Sequence, residues 1–302
     1  MRWLLVAAGC WLAGAAASAA APVLGPGQAP PAPAKVGNGV VATPAAGPRW
    51  RLVWSDVFAR GAQASAKGVA GWVFRVTSPG RHPNGSLQVY CAPDSNRSPC
   101  EGNRPNAYVS NGYLHVVARK VAPGVYTSAR LSTDGLESFG YGRIVARIKI
   151  PHGQGLWPAF WLLGDDVGRV GWPASGEIDV MENIGRLPYT VIGSIHGTGF
   201  TGKRISTPYT VIHGPEFSAG FHTFGITWAP NLIEFFVDNP HNVYAHYTPA
   251  DLPKGAAWPF NGRRFYLILD LAVGGEWPGP PNASTHFPAQ MLVKYVKVYA
   301  KG

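Results

Sequence analysis

The sequence predicts an all-β fold, a sandwich or jelly roll. Three observations carry this: short apolar segments that alternate with period two, turn residues between them, and no long amphipathic helix. Runs such as 113–118, 142–150, 232–237 and 265–269 are rich in β-branched and aromatic residues, and Gly, Pro, Asn or Asp punctuate the chain between them. In 142–150, Ile144, Ala146, Ile148 and Ile150 face one way while Arg143, Arg147 and Lys149 face the other, as in a strand with one wet face. No internal repeat of solenoid or propeller length is present.

Taken in order, the chain opens on an export signal. Arg2 supplies a positive start, Trp3 to Ala17 is apolar, and Ala17-Ser18-Ala19 offers an A-x-A cleavage site, which sets the signal at residues 1–19. The apolar run is too short, and too soon broken by Gly and Pro, for a membrane anchor, so no membrane association is expected after cleavage. Residues 20–48 carry seven prolines and read as a disordered, partly extended linker. Residues 49–302 are dense in aromatics and suit one domain, secreted to an extracellular or periplasmic space.

Of three cysteines, Cys10 leaves with the signal. Cys91 and Cys100 flank a turn-rich stretch and, in an exported chain, are expected to form a disulfide that pins a surface loop. No CxxC or His-rich cluster points to zinc, so no metal and no cofactor are expected. Lys and Arg number 26 against 16 acids, a net charge of +10, but they are scattered with no dense run. That pattern means a basic, solvated surface suited to anionic cell walls; without a binding motif, nucleic acid is not an expected partner. The default state is a monomer.

Gly176-Glu177-Ile178-Asp179-Val180-Met181-Glu182 places three acids in six residues, separated by strand-forming side chains. Alternation puts Glu177 and Asp179 on one face and sends Glu182 into the core, where a charge is costly. One β-bulge between Asp179 and Glu182 shifts the register and brings all three to one face. Crowded carboxylates raise one another's pKa, so one stays protonated as a general acid while another stays ionised and attacks. A calcium site or a solvated acidic strand remains the alternative, although calcium loops mix in Asn, Gly and carbonyl ligands. Tryptophans surround the cluster in 153–161, 171–173, 258–260 and 274–279; indole faces suit sugar C–H faces, while core packing accounts for many of the eleven.

At these residues the chain resembles glycoside hydrolase family 16, the laminarinase and lichenase family, whose acid motif has this longer, bulged form in its laminarinase-like branch. The resemblance runs over roughly residues 50–300. It is carried by Trp54-Ser55-Asp56, Tyr126–Leu131, Tyr141-Gly142-Arg143, 153–161, Trp172–Glu182, Phe221-His222, Trp228, Phe236-Val237-Asp238, Leu271–Gly275 and Tyr295–Tyr299. It implies a concanavalin-like β-jelly roll of two packed sheets with a concave glycan-binding cleft. It implies Glu177 as nucleophile, Glu182 as acid/base and Asp179 holding the nucleophile's charge state. It further implies Trp157, Trp172 and His196 beside the acids, with Arg130 and Asn84 as cleft contacts.

The chain departs from the family pattern in three places. The usual N-N-E-L-Q is Asn84-Gly85-Ser86-Leu87-Gln88; the usual calcium-binding Asp near the end is Lys294; the usual L-N-L-A-V-G-G is Leu269-Asp270-Leu271-Ala272-Val273-Gly274-Gly275, where Asp270 has no assigned role. The implied activity is a secreted retaining endo-β-glucanase acting on β-1,3- or mixed β-1,3-1,4-glucan. The alternatives are a transglycosylase on a related β-glucan and a non-catalytic glucan-binding protein.

Overall fold

The computed structural model describes residues 49–59, 69–78, 82, 84–201 and 205–302, all within one compact unit, Ala46–Gly302. The expected signal (1–19) and linker (20–48) lie outside the described residues. The strands, in chain order, are β1 Trp50–Asp56, β2 Val73–Phe74, β3 Gln88–Tyr90, β4 Ala107–Ser110, β5 Tyr113–Ala122, β6 Val125–Ser128, β7 Arg130–Ser132, β8 Gly142–Lys149 and β9 Leu156–Gly164. After one helical turn, Val167–Val170, come β10 Glu177–Glu182, β11 Thr190–His196, β12 Ser206–Thr210, β13 His222–Ala229, β14 Leu232–Val237, β15 Val243–Tyr247, β16 Phe265–Val273 and β17 Ala289–Lys301.

They form two sheets. The larger runs β15-β14-β13-β8-β17-β5-β6-β3, with β1 added to β17 and β4 to β5; the smaller runs β12-β11-β10-β9-β16-β7-β2. The β3–β6 pair is parallel, and the pairs flanking β8, β9, β10, β16 and β17 are antiparallel. The alternation read in 142–150 is the reason β8 can sit mid-sheet: Ile144, Ala146 and Ile148 are fully buried, while Arg143, Arg147 and Lys149 keep contact with solvent. Those side chains join one core with Val293, Val296 and Val298 of β17, and with Phe160, Leu162, Ile178, Leu267, Leu269 and Leu271 of the smaller sheet. At roughly 25 cal/mol per Å² of apolar surface removed from water, this shared layer is the main force holding the sheets together.

Two departures from regular pairing matter. In β17 the register slips between Val293 and Tyr295, and Lys294, the extra residue, is exposed. In β10 the register slips between Asp179 and Glu182 against β11, and between Asp179 and Met181 against β9. Cys91 and Cys100 are bonded, with Cα atoms 5.7 Å apart, and pack with Val89 in a small second cluster at the end of β3. No helix among the described residues is long and apolar enough to cross a membrane.

Candidate active site

β10 lies between β9 and β11 in the smaller sheet, and its pairing shows which way each acid points. Glu177 pairs with Leu163, Asp179 with Trp161 and Glu182 with Ala159. These β9 partners are two residues apart, so they share a face, and the three acids share it with them. The bulge at Val180 does this: Val180 and Met181 both stay buried, and Glu182 returns to the side of Glu177. Opposite the bulge, β11 carries Gly193, where a Cβ would lie 2.6 Å from the Phe235 ring and 2.6 Å from the Tyr244 hydroxyl. A glycine is needed there to let the two layers close beneath the acids.

Each glutamate is held by an indole. Trp172 Nε1 donates to Glu177 Oε2 at 3.0 Å, and Trp157 Nε1 donates to Glu182 Oε1 at 3.0 Å. Trp172 is 55% exposed, although it hydrogen-bonds an acid. Trp157 is instead braced edge-on by Trp277, with ring centroids 5.3 Å apart. His196, paired with Glu177 across β10 and β11, brings Nε2 to 2.9 Å from Asp179 Oδ2 and 3.9 Å from Glu177 Oε1.

Burial and like charge set the proton balance. Burial, reinforced by the Asp179 charge, pushes Glu177 up to about 8 against the pull of His196, the Trp172 N–H and Arg130. Burial also raises Asp179, with hydrogen bonding to Glu177 opposing the rise and the Asp270 charge adding to it. Glu182 is raised by burial first and then by Asp179 and Glu177. The cluster therefore holds protons at neutral pH, and it can both give and accept them. Among the described residues, Glu177, Asp179 and His196 also form the one group of acidic and imidazole side chains with ligand atoms all within 4.8 Å of one another.

Two cavities meet over the acids. One, of about 210 Å³, is polar and bounded by Asn84, Arg130, Trp161 and Asp270; the other, of about 530 Å³, is walled by Ile192, Pro208, His196 and Trp277. Every residue expected from the sequence to belong to the site thus lines one cavity or the other, or, like Trp172, hydrogen-bonds an acid. Asn84 also caps its own turn, its Oδ1 accepting from the Ser86 N–H at 3.2 Å. Arg130 is ion-paired to Asp270 at 3.4 Å. The sequence left Asp270 without a role and gave no sign of Tyr90, which donates to Asp270 at 2.5 Å; Trp161 and Trp277 sit in aromatic stretches that the sequence did single out.

A family model described as glycosyl hydrolases family 16 matches residues 95–291 of this chain. A β-glucanase of Rhodothermus marinus is 36% identical over 261 residues, covering 83% of this chain and 86% of that protein. Among solved structures, an endo-β-1,3-glucanase from Pyrococcus furiosus superposes with a TM-score of 0.71 at 40% identity, over 85% of this chain and 97% of that one. The catalytic domain of a laminarinase from Thermotoga petrophila RKU-1 superposes with a TM-score of 0.72 at 38% identity, over 84% and 99% respectively.

Proposed function

The chain belongs to glycosyl hydrolases family 16 and is a glycoside hydrolase, and we propose that it is an exported, retaining endo-β-glucanase that cuts β-1,3- or mixed β-1,3-1,4-glucan. The observation that carries the mechanism is the bulge that puts Glu177, Asp179 and Glu182 on one face of β10, with an indole N–H on each glutamate. In the first step Glu182 gives its proton to the glycosidic oxygen as that bond breaks, and the Glu177 carboxylate attacks the anomeric carbon, forming a covalent glycosyl-enzyme. In the second, Glu182, now ionised, takes a proton from water as the water attacks; the ester bond breaks and Glu177 is released. Asp179 receives the proton that Glu177 gives up on becoming a nucleophile, which the hydrogen bond between them and the proximity of His196 support.

Export rests on the sequence alone: Arg2, the apolar run and Ala17-Ser18-Ala19. We take the catalytic domain as 49–302, acting as a monomer on polysaccharide. A transglycosylase reading draws on the larger cavity, whose Ile192, Pro208 and Trp277 walls suit the C–H face of an acceptor sugar that would compete with water. The test is proton NMR of the first product from laminarin and from lichenan, with product sizing. The β-anomer is expected first, because two successive displacements at the anomeric carbon, by Glu177 and then by water, restore the original configuration. An initial α-anomer overturns the mechanism, and products longer than the substrate would favour transfer over hydrolysis.

A further inference from the structure

One buried carboxylate in the smaller sheet takes no part in the two steps above. Asp270 is 3% exposed and accepts three hydrogen bonds: from Tyr90 Oη to Oδ2 at 2.5 Å, from Trp161 Nε1 to Oδ1 at 2.7 Å, and from Arg130 Nη2 to Oδ2 at 3.4 Å. Arg130 Nη2 also donates to Tyr90 Oη at 3.4 Å. The guanidinium carbon lies 4.8 Å from the Tyr90 ring centroid and 5.1 Å from that of Trp161.

The strand register places this group. Glu182 pairs with Ala159, Ala159 with Asp270, and Asp270 with Arg130, so these four residues form one row across β10, β9, β16 and β7. Ala159 carries only a methyl group, and the cavity of about 210 Å³ opens above it, with Glu182 on one side and Asp270 on the other. Strands about 4.8 Å apart put the two carboxylate-bearing positions roughly 10 Å from each other.

We propose that Asp270 is a positioning residue for the reaction: it clamps Arg130, Trp161 and Tyr90 into the floor beside the acids and cancels a guanidinium charge that would otherwise face them. The proposal rests on the hydrolytic reading above. A buried ion pair is weak evidence for stability, since apolar side chains of similar volume serve a core as well. What this pair adds is direction, through three donors fixed on one carboxylate, and neutrality beside a proton-exchanging cluster.

The charged and titratable groups around that cluster are Glu177, Asp179 and Glu182 on β10, His196 on β11, Tyr90 on β3, Arg130 on β7, Tyr266 and Asp270 on β16, and Tyr244 on β15. Among these the Arg130 charge lowers Glu177 and the Asp270 charge raises Asp179, so the two halves of the pair act in opposite senses. Asp270→Asn keeps the shape and leaves Arg130 uncompensated. The acids then lose protons more readily, and the basic limb of the pH–rate profile moves down by about half to one pH unit, the size expected of one charge roughly 10 Å away. Arg130→Gln leaves Asp270 uncompensated and moves that limb up. Arg130→Lys keeps the charge while losing the planar stack, and returns the limb toward its wild-type position.

The experiment measures kcat and KM against pH on soluble β-1,3-glucan for wild type, D270N, R130Q and R130K. Carboxyl-carbon NMR titrations of the same proteins without substrate, and thermal melts, accompany it. Opposite shifts for D270N and R130Q, with R130K near wild type, are the expected result in both kinetics and NMR. Shifts in the same direction, or a uniform loss of kcat with unmoved limbs, would reduce Asp270 to a packing residue and overturn the proposal. If D270N does not fold, an upward shift in R130Q that R130K reverses still supports the charge balance, and its absence refutes it. A protein that cuts no glucan yet shows the opposite NMR shifts would sink the hydrolytic reading and leave the charge-balancing role standing.

Discussion

Glu177 is neutral in the fold at a pH where the same glutamate in an unfolded chain is ionised, and that difference works against stability as pH rises. Its folded value, about 8, lies above the ordinary 4.5, so between these limits the native state holds more protons than the unfolded one. Stability is therefore complete below about 4.5 and falls as pH rises toward 8, at up to about 1.4 kcal/mol per unit. Glu177→Gln removes this titration. Calorimetry should find its melting temperature above that of wild type at pH 8 by a few degrees, with the gap closing at pH 4, while turnover drops by at least about 100-fold. A gap that widens toward acid would contradict the burial argument. The three acids were legible in the sequence because they crowd one short, otherwise apolar segment. Asp270 was visible only as an unexplained acid, since its donors, Tyr90, Arg130 and Trp161, come from distant strands that no spacing rule connects.

Deleting Val180 is the cleanest probe of a single element. With one residue fewer, β10 becomes regular, with Met181 still facing the core and Glu182 still on the face of Glu177. The variant should therefore melt within a few degrees of wild type and keep measurable hydrolysis, since the shared face of the three acids survives the loss of the bulge. Complete loss of hydrolysis in a folded variant would show that the bulge itself, and not only the shared face, sets the geometry of the acids. The bulge is legible in the sequence because strict alternation would bury a charge. Strand positions in 113–118, 142–150, 232–237 and 265–269 are likewise readable, since period two is a local signal. The order of strands is not. That β17 lies between β8 and β5, or that β3 joins its sheet in parallel with β6, depends on pairings between segments far apart in the chain.

At the scale of the molecule, the site belongs to neither end of the chain. Tyr90 and Asp270 are 180 residues apart, and Gln88 Oε1 accepts from the Val273 N–H across 185 residues. The Cys91–Cys100 bond shortens the search only locally; the chain-entropy model credits so small a loop with roughly 2.5–3 kcal/mol. β17 is the last strand, yet it fills the middle of the larger sheet and meets β5, β8 and β1. Without it, β8 and β5 present unpaired edges facing each other across a gap. Removal of residues 289–302 should leave a chain with no cooperative melt and a tendency to aggregate, and a sharp transition in that truncation would refute the central role of β17. On dilution from denaturant, strand signal by circular dichroism should recover before glucan cleavage does, because the floor of the site needs both early and late segments in place. The central place of β17 thus predicts a clock: a nascent or half-refolded chain should be inert, with cleavage beginning only once residues 289–301 have been made and docked.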